Sequence, residues 1–342
     1  MSIVQVAKLA GCSHTTVSRV INQKPGVSDE AATRVQAAIR KLNYVPPVKR
    51  RGPQRKGGRR ARTGNVAVLM FGAEATPLVA PVASAAIHAI EEALGAEGYS
   101  MSFGKVRDEA RLPAIVARGD VDGLILHGEA PSPAVADRLQ RMPGVWIMSP
   151  RGKSGYWGDR VSFDNPAIGR AAAEHLIDHG HKRIGFLYLD ATHLGFRHRA
   201  DAFAEAAHDA GVVCETLRGE RPPDYTPGDF RAERAYIDHL VARYADMPDR
   251  PTGLFVPRGQ ATLMVFEALR SRGIEPRRDV AVIACDTDPA LAGLSPQIPT
   301  LDVRPDRLGQ QAVEQLLRRI DKPDPFTRVN ILIEPTLIDI PG

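Results

Sequence analysis

From Asn65 onward, short apolar segments of strand length alternate with helical patterns in two successive series. Strands are predicted at residues 66–70, 100–103, 123–126, 144–148, 184–189, 253–256 and 280–284, with helices between them that include 109–118 and 199–210. Strands that alternate with helices predict an α/β fold with parallel, doubly wound sheets. Two such lobes facing each other would hold a small ligand in the cleft at the ends of their strands.

The first 46 residues show a different pattern, that of three short helices. Val6, Leu9 and Ala10 share one face of the first helix, and Gly11 follows as a residue that tolerates positive φ at a helix end. Ser13 is a good N-cap for the second helix. Two short helices joined by a glycine-containing turn predict a helix-turn-helix, whose second helix enters the major groove of DNA.

A third helix is predicted after Ser28, which can cap it, and its buried stripe is Val35, Ala38, Ile39 and Leu42. The run Asn-Tyr-Val-Pro at 43–46 ends this helix, because the residue before a proline disfavours helical backbone. Residues 1–46, hereafter the head, are therefore predicted to be a DNA-binding domain.

The distribution of charge supports this prediction. Residues 1–65 hold 14 Lys or Arg against two acids, a charge of +12, whereas the rest of the chain carries −7 and the whole +5. A basic head on an acidic body indicates that the head meets a polyanion such as double-stranded DNA. The outward face of the second helix carries short donors and acceptors and one arginine, which suit base edges, although any solvated helix has a polar face. These residues are His14, Thr15, Ser18, Arg19 and Asn22.

The head resembles the DNA-binding domain of the LacI/GalR family of bacterial transcription regulators. The shared patterns are A-x-x-A-G-V-S-x-x-T-V-S-R-V-L-N, then V-S-x-x-T-R-x-x-V, then L-x-Y-x-P, with Cys12 in place of the first valine. The resemblance implies that His14 and Thr15 read operator bases and that Arg19 is the recognition-helix arginine. It implies phosphate-facing or capping roles for Ser13, Thr16, Ser18, Asn22 and Ser28.

The body, residues 65–342, resembles the effector-sensing part of the same family. The matching runs include VDGLI at 121–125, FDN at 163–165, GHKRI at 180–184 and DVAVI at 279–283. The resemblance implies a two-lobed sensor of the periplasmic-binding-protein type, in which the chain crosses between lobes near Phe163, Ser295 and Phe326. The N-lobe is predicted at about 65–163 and 296–325, and the C-lobe at about 164–295 and 326–340.

The resemblance also implies where a small-molecule effector binds. Arg199 and Asp286 match the family's effector-binding arginine and aspartate, and such a pair can grip neighbouring sugar hydroxyls; the alternative is a plain salt bridge. Arg258 replaces a usual asparagine and Ser149 a frequent acid, and both changes make the cleft more positive. They hint at a sugar acid or sugar phosphate in place of a neutral sugar, or at no effector. Trp157 is expected to line the cleft.

Residues 47–64 form a basic linker that departs from the family. Eight Lys or Arg and no acid lie between Lys49 and Asn65, interrupted by glycine and proline. Because Gly and Pro cost about 1 and 3 kcal/mol in a helix interior, the family's hinge helix is not expected. The linker is interpreted either as an extended arm in the minor groove or as a flexible tether that attracts phosphates without sequence preference. Its candidate DNA-binding residues are Arg50, Arg51, Arg59 and Arg60.

Other functional classes find little support in the sequence. It contains none of the GxSxG, HExxH, Walker A or GxGxxG motifs, so an enzyme is not predicted. His175 and His179 lie four apart on a helix, but they fall in the matched family run, and no metal or other cofactor is expected. The three cysteines are far apart and predict no disulfide. Without a signal-peptide pattern or an apolar run of membrane length, a transport protein is disfavoured and a cytoplasmic, nucleoid-associated protein is expected.

Together these observations predict a regulator, most simply a repressor, that binds a near-palindromic operator as a homodimer and responds to a small sugar-like or acidic sugar effector in the cleft between the lobes. The competing interpretation is an architectural protein that binds DNA largely without sequence preference and without an effector. The basic linker is the feature that favours it.

Overall fold

The computed structural model describes residues 3–21, 26–42, 62–72, 81–106, 112–148, 155–189, 193–219, 230–286, 291, 297–324 and 326–339. The chain divides into two compact units, Met1–Gln54 and Arg55–Gly342. The first unit contains the head and the second contains the body. No helix within these ranges is long and apolar enough to cross a membrane.

The described part of the head consists of the helices α1 Ile3–Ala10, α2 His14–Ile21 and α3 Asp29–Lys41. The turn between α1 and α2 has the predicted geometry, since Gly11 takes a φ of +58°. The hydroxyl of Ser13 accepts a hydrogen bond from the backbone N–H of Thr16 at 3.1 Å. Ser28 caps α3 in the same way, accepting from the N–H of Ala31 at 3.4 Å.

Each of the three helices contributes one fully buried valine to the core of the head, namely Val6, Val17 and Val35. The predicted face of α1 needs one correction, because Leu9 is 46% exposed while Ala10 is buried. A helix of eight residues buries only a narrow stripe, and the position three residues after Val6 lies at the edge of that stripe.

The body alternates strands and helices, as the sequence predicts. Its described strands are β1 Asn65–Phe71, β2 Ser100–Val106, β3 Gly123–Gly128, β4 Gly144–Ile147, β5 Asp159–Phe163, β6 Arg183–Leu187, β7 Val213–Leu217, β8 Gly253–Val256, β9 Ala281–Cys285, β10 Thr300–Asp302, β11 Asn330–Ile333 and β12 Thr336–Ile338. Its described helices are α4 Pro81–Ala96, α5 Ala114–Ala117, α6 Pro133–Leu139, α7 Asn165–Asp178, α8 Leu194–Asp209, α9 Phe230–Ala245, α10 Gly259–Arg270 and α11 Pro305–Asp321.

These strands form two six-stranded sheets, one in each lobe. The first has the order β11-β5-β4-β3-β1-β2 and the second the order β12-β10-β9-β8-β6-β7. Pairing among the described strands is parallel, except that β12 runs antiparallel to β10. Along β1, Val66 and Val68 pack into one buried cluster, whereas Leu69 and Phe71 pack into another. Burial on both faces is the pattern of a doubly wound parallel sheet, so the predicted fold class is confirmed.

The crossings between the lobes correct two of the predicted positions. The first follows Phe163, at the end of β5. The second lies at 303–304, between β10 of the second sheet and α11, which packs against α4 of the first lobe. The third lies at 334–335, between β11 and β12. The crossings predicted near Ser295 and Phe326 are therefore too early, because a sequence pattern locates a strand but not the sheet that it joins.

Two helices of the body also differ from the prediction. Of the helix predicted at 109–118, the described residues contain only α5, and residues 107–111 lie outside them. Helix α8 begins at Leu194, where the side chain of His193 accepts from the N–H of Phe196 at 3.4 Å. Arg199 consequently lies in the second turn of α8 and not at its start.

Candidate DNA-binding surface and effector cleft

Helix α2 packs one face into the head and exposes the other. Val17 is fully buried, and Val20 and Ile21 are partly buried in the same core. Thr15 and Arg19 are exposed. The predicted reading face is thus on the surface wherever its side chains are described. The side chains of His14 and Ser18, and Asn22 as a whole, lie outside the described residues.

The start of α2 is suited to a phosphate group. The hydroxyls of Ser13 and Thr16 are 2.9 Å apart, and the first turn of α2 contains no acidic residue. The N–H groups and the positive end of the helix dipole at such a terminus attract an anion. The predicted DNA contacts of the linker and one predicted cleft residue fall outside the described residues, namely Arg50, Arg51, Arg59, Arg60 and Ser149.

In the body, Arg199 is buried and held in one orientation, with 5% of its surface exposed. Its Nε donates to Asn165 Oδ1 at 2.9 Å, and its Nη1 donates to the carbonyl oxygen of Pro257 at 2.5 Å. The same Nη1 lies 3.2 Å from Cys285 Sγ and 3.8 Å from Asp286 Oδ1. Pro257 and Asp286 directly follow the neighbouring parallel strands β8 and β9. This carboxyl edge is where doubly wound sheets bind their ligands.

Asp286 leaves β9 with a left-handed backbone, at a φ of +71°. Left-handed backbone costs most residues about 1–2 kcal/mol and is visited more readily by aspartate, and such backbone is concentrated at ligand sites. The Cys285 thiol donates to Asp286 Oδ1 at 3.4 Å. Burial raises the pKa of Cys285 well above its usual range, so this thiol stays protonated. We call Arg199 and Asp286 the carboxyl-edge pair; the structure brings the two together.

Arg258 forms an ion pair with Glu233 of α9. The Glu233 side chain is 6% exposed and that of Arg258 is 28% exposed. The expectation that Arg258 makes the cleft more positive therefore needs correction. Its charge is balanced by a buried carboxylate, and the pair as a whole is neutral.

Trp157 lies away from the carboxyl-edge pair. It is buried in the first lobe, with its ring 5.2 Å from that of Trp146 and nearly perpendicular to it. Its Nε1 lies beside Gly144, the first residue of β4. The prediction that Trp157 lines the cleft is wrong, because this aromatic side chain packs into the core at the amino edge of the first sheet.

A second buried ion pair lies at this same amino edge. Asp159, the first residue of β5, is 1% exposed, and Arg319 of α11 donates to its two carboxylate oxygens at 2.5 and 2.7 Å. Gln315 donates to it at 2.5 Å and the N–H of Val329 at 2.8 Å. Burial raises the pKa of Asp159, but the hydrogen bonds from Arg319, Val329 and Gln315 outweigh it, so the pKa lies below its ordinary value. We call Asp159 and Arg319 the amino-edge pair.

Sequence reasoning missed three side chains that support the carboxyl edge: Asn165, Cys285 and Glu233. Asn165 lies within the Asp-Asn run that matches the family, so a signal for it was present. Cys285 directly precedes the predicted Asp286. No local sequence pattern predicts the role of Glu233, because its pairing with Arg258 arises from the packing of α9 against α10.

Comparisons with known proteins agree with this architecture. Residues 2–47 match the bacterial regulatory proteins of the lacI family, and residues 173–339 match the periplasmic binding protein-like domain. The HTH-type transcriptional repressor PurR of Mannheimia succiniciproducens is 29% identical, over 98% of this chain and 97% of the relative.

Solved structures share the fold over almost the whole chain. The lac repressor dimer bound to operator and the anti-inducer ONPF has a TM-score of 0.72 at 21% identity, covering 99% of this chain and 98% of the other. The complex of the regulator CelR with cellobiose has a TM-score of 0.66 at 23% identity, with the same coverage. These likenesses to solved structures show the fold. The chain joins a DNA-binding domain of the lacI family of bacterial regulatory proteins to a periplasmic binding protein-like domain, and the relatives that it matches over almost their whole length are transcriptional repressors.

Proposed function

We propose that this protein is a homodimeric repressor that binds a near-palindromic operator and changes its operator affinity when a small hydroxyl-rich effector binds the carboxyl-edge pair. The observation that carries the proposal is the buried Arg199, fixed by Asn165 and Pro257 beside Asp286 at the carboxyl ends of β8 and β9. An arginine with a fixed fork and a nearby carboxylate can bind adjacent hydroxyls from two sides.

The charge around this pair favours a neutral sugar over a sugar acid or a sugar phosphate. Arg258, which would attract an anion, is already neutralised by Glu233. A buried pair of this kind is costly to separate, so Arg258 is not readily released to bind an anionic ligand. The cellobiose complex of CelR, a protein of the same fold, supports a sugar-like effector.

On the DNA side, we propose that Thr15 and Arg19 of α2 contact base edges in the major groove. The +12 charge of residues 1–65 supplies attraction to phosphates that does not depend on sequence. A dimer presents two such helices, so its operator has two related half-sites. The repressor relatives support repression over activation. The proposal also places the protein with the nucleoid in the cytoplasm.

The DNA part of the proposal is tested by selection from sheared genomic DNA of the source organism. We expect the full-length protein to retain a few near-palindromic fragments, and Arg19→Ala to weaken binding to them about tenfold or more. Arg40→Ala, a change of equal charge on the exposed side of α3, is the matched control. Uniform retention of all fragments would instead support the architectural interpretation.

The effector part is tested with a panel of neutral sugars, sugar acids and sugar phosphates in thermal-shift and calorimetric titrations. We expect a neutral sugar to bind, and Arg199→Lys to weaken its binding about tenfold to a hundredfold because lysine lacks the forked donor. Arg197→Lys, on the same helix but exposed, is the matched control. Equal binding by Arg199→Lys and wild type, or a preference for acids, would contradict the proposed site.

A further inference from the structure

The end of α7 places two histidines beside the end of the described chain. His175 and His179 are one helical turn apart, and their ring centroids are 4.2 Å from each other. Asp339 directly follows β12, whose residue Ile338 pairs with Thr300 of β10. One imidazole nitrogen of each histidine and one carboxylate oxygen of Asp339 lie within 4.8 Å of one another.

His179 makes one hydrogen bond of the kind that metal-binding histidines make. Its Nδ1 lies 2.7 Å from the carbonyl oxygen of His175, so the N–H at Nδ1 donates to that oxygen. The nitrogen left to bind a cation is then Nε2, and metal-binding histidines characteristically donate their other nitrogen to a carbonyl or carboxylate.

We propose that His175, His179 and Asp339 bind one divalent transition-metal cation of the zinc class. Two imidazoles and one carboxylate favour such ions over Mg²⁺ and Ca²⁺, which prefer oxygen ligands alone. Zinc–ligand lengths of about 2.0–2.2 Å place the ligand atoms of a tetrahedral site roughly 3.4 Å apart. Separations of up to 4.8 Å therefore need to close by at most about 1.4 Å. The side chains of His179 and Asp339 are exposed, so a change of rotamer can bring their ligand atoms closer.

The sequence did not predict this site because it places only two potential ligands, His175 and His179, close together. The third ligand, Asp339, lies 160 positions after His179 in the sequence. The last crossing between the lobes and the antiparallel pairing of β12 bring it close to the two histidines. A bound ion would tie α7 to the C-terminal strand of the second sheet. It would also lie at the opposite end of α7 from Asn165, which contacts the carboxyl-edge pair, so it does not depend on the proposed effector.

The test uses untagged full-length protein, because a histidine tag would itself bind zinc. After treatment with EDTA and dialysis, the protein is titrated with ZnCl₂ in a calorimeter. We expect one zinc ion per chain, and at least about tenfold weaker binding by His179→Gln and Asp339→Asn. CoCl₂ should give visible absorption bands in the wild type that both variants lack, and zinc should raise the melting temperature of the wild type but of neither variant.

Two histidine variants serve as controls. His181→Gln removes the neighbouring ring, whose Nδ1 lies 2.9 Å from Thr252 Oγ1. His88→Gln removes an exposed histidine paired with Glu92 at 3.6 Å in the first lobe. Both should bind zinc like the wild type, and circular dichroism should show all four variants folded. The proposal is overturned if the wild type binds no zinc at millimolar concentration, if Asp339→Asn binds as tightly as the wild type, or if His181→Gln abolishes binding.

Discussion

The two lobes have corresponding sheet orders, yet they keep their buried charges at opposite edges. In the first lobe, both carboxylate oxygens of Asp159 accept hydrogen bonds from Arg319. The side chain of Gln315 and the N–H of Val329 donate to the same carboxylate. In the second lobe, Arg199 and Asp286 stand 3.8 Å apart, and the arginine bonds mainly to neutral acceptors. From this comparison we infer that the carboxyl-edge pair is the candidate binding site, because its two charges are farther apart than those of the amino-edge pair.

The two arginines differ in what their remaining donors do. Arg319 also donates to the carbonyl oxygens of Asp324 and Thr327, so its guanidinium fixes the turn before β11. Arg199 contacts the ends of two adjacent strands and the start of α7. The first arginine therefore stabilises the fold, whereas the second belongs to the proposed effector site.

The largest expected effect is that of Asp159→Asn. The substitution keeps the shape of the side chain but leaves the charge of Arg319 largely buried without its carboxylate, so we expect the free energy of unfolding to fall by about 3–5 kcal/mol. Both tryptophans of the chain, Trp146 and Trp157, lie in the first lobe. Urea unfolding followed by tryptophan fluorescence therefore reports on the affected lobe.

Asp324→Asn is the control for this prediction. Asp324 also faces Arg319, at 3.7 Å, but its side chain is 44% exposed. An exposed pair contributes at most about 1 kcal/mol, so this variant should unfold close to the wild type. Equal losses in the two variants would show that the number of charges near Arg319 matters and their burial does not.

The same pair predicts how stability depends on pH. Because the pKa of Asp159 is lower in the folded protein than its ordinary value of 3.8, the folded state binds fewer protons than the unfolded state in the interval between the two values. The stabilisation is complete above the ordinary value and is lost as pH falls through the folded value. The difference in unfolding free energy between wild type and Asp159→Asn should therefore be constant near neutrality and shrink below about pH 4. A constant difference at acid pH would contradict this assignment.

An intermediate effect is expected for Arg258→Asn, which restores the residue usual in the family. The change leaves the carboxylate of Glu233 buried without its partner, so we expect a loss of about 1–3 kcal/mol in a far-UV circular dichroism melt. The fluorescence transition of the first lobe should change less.

Glu233→Gln and the double variant complete a thermodynamic cycle for this pair. The double variant should recover most of the loss, because neither charge is then left alone. Additive losses would mean that the two side chains act independently and that Arg258 is available to an anionic effector after all.

The fold class could be predicted from the sequence because the strongest patterns involve residues close together in the chain. Helix caps, turn glycines and apolar segments follow from nearby residues, and Ser13, Gly11 and Ser28 act as predicted. The pairing of Arg258 with Glu233 and the position of Trp157 depend on how separate elements pack, which no local pattern records. Arg199 and Asp286 were identified through resemblance, and their proximity is a property of the sheet edge.

Of the substitutions in the two edge pairs, Asp286→Asn is expected to change stability less. Asparagine tolerates the left-handed backbone of this position as well as aspartate does. At 3.8 Å the carboxylate is beyond hydrogen-bond distance of Arg199, which keeps its bonds to Asn165 and Pro257. We expect the free energy of unfolding to change by less than about 1 kcal/mol, while the response to the effector falls about tenfold. A loss of stability as large as that of Asp159→Asn, with effector binding intact, would place the two pairs in the same structural role. The difference between the edges would then be one of geometry alone.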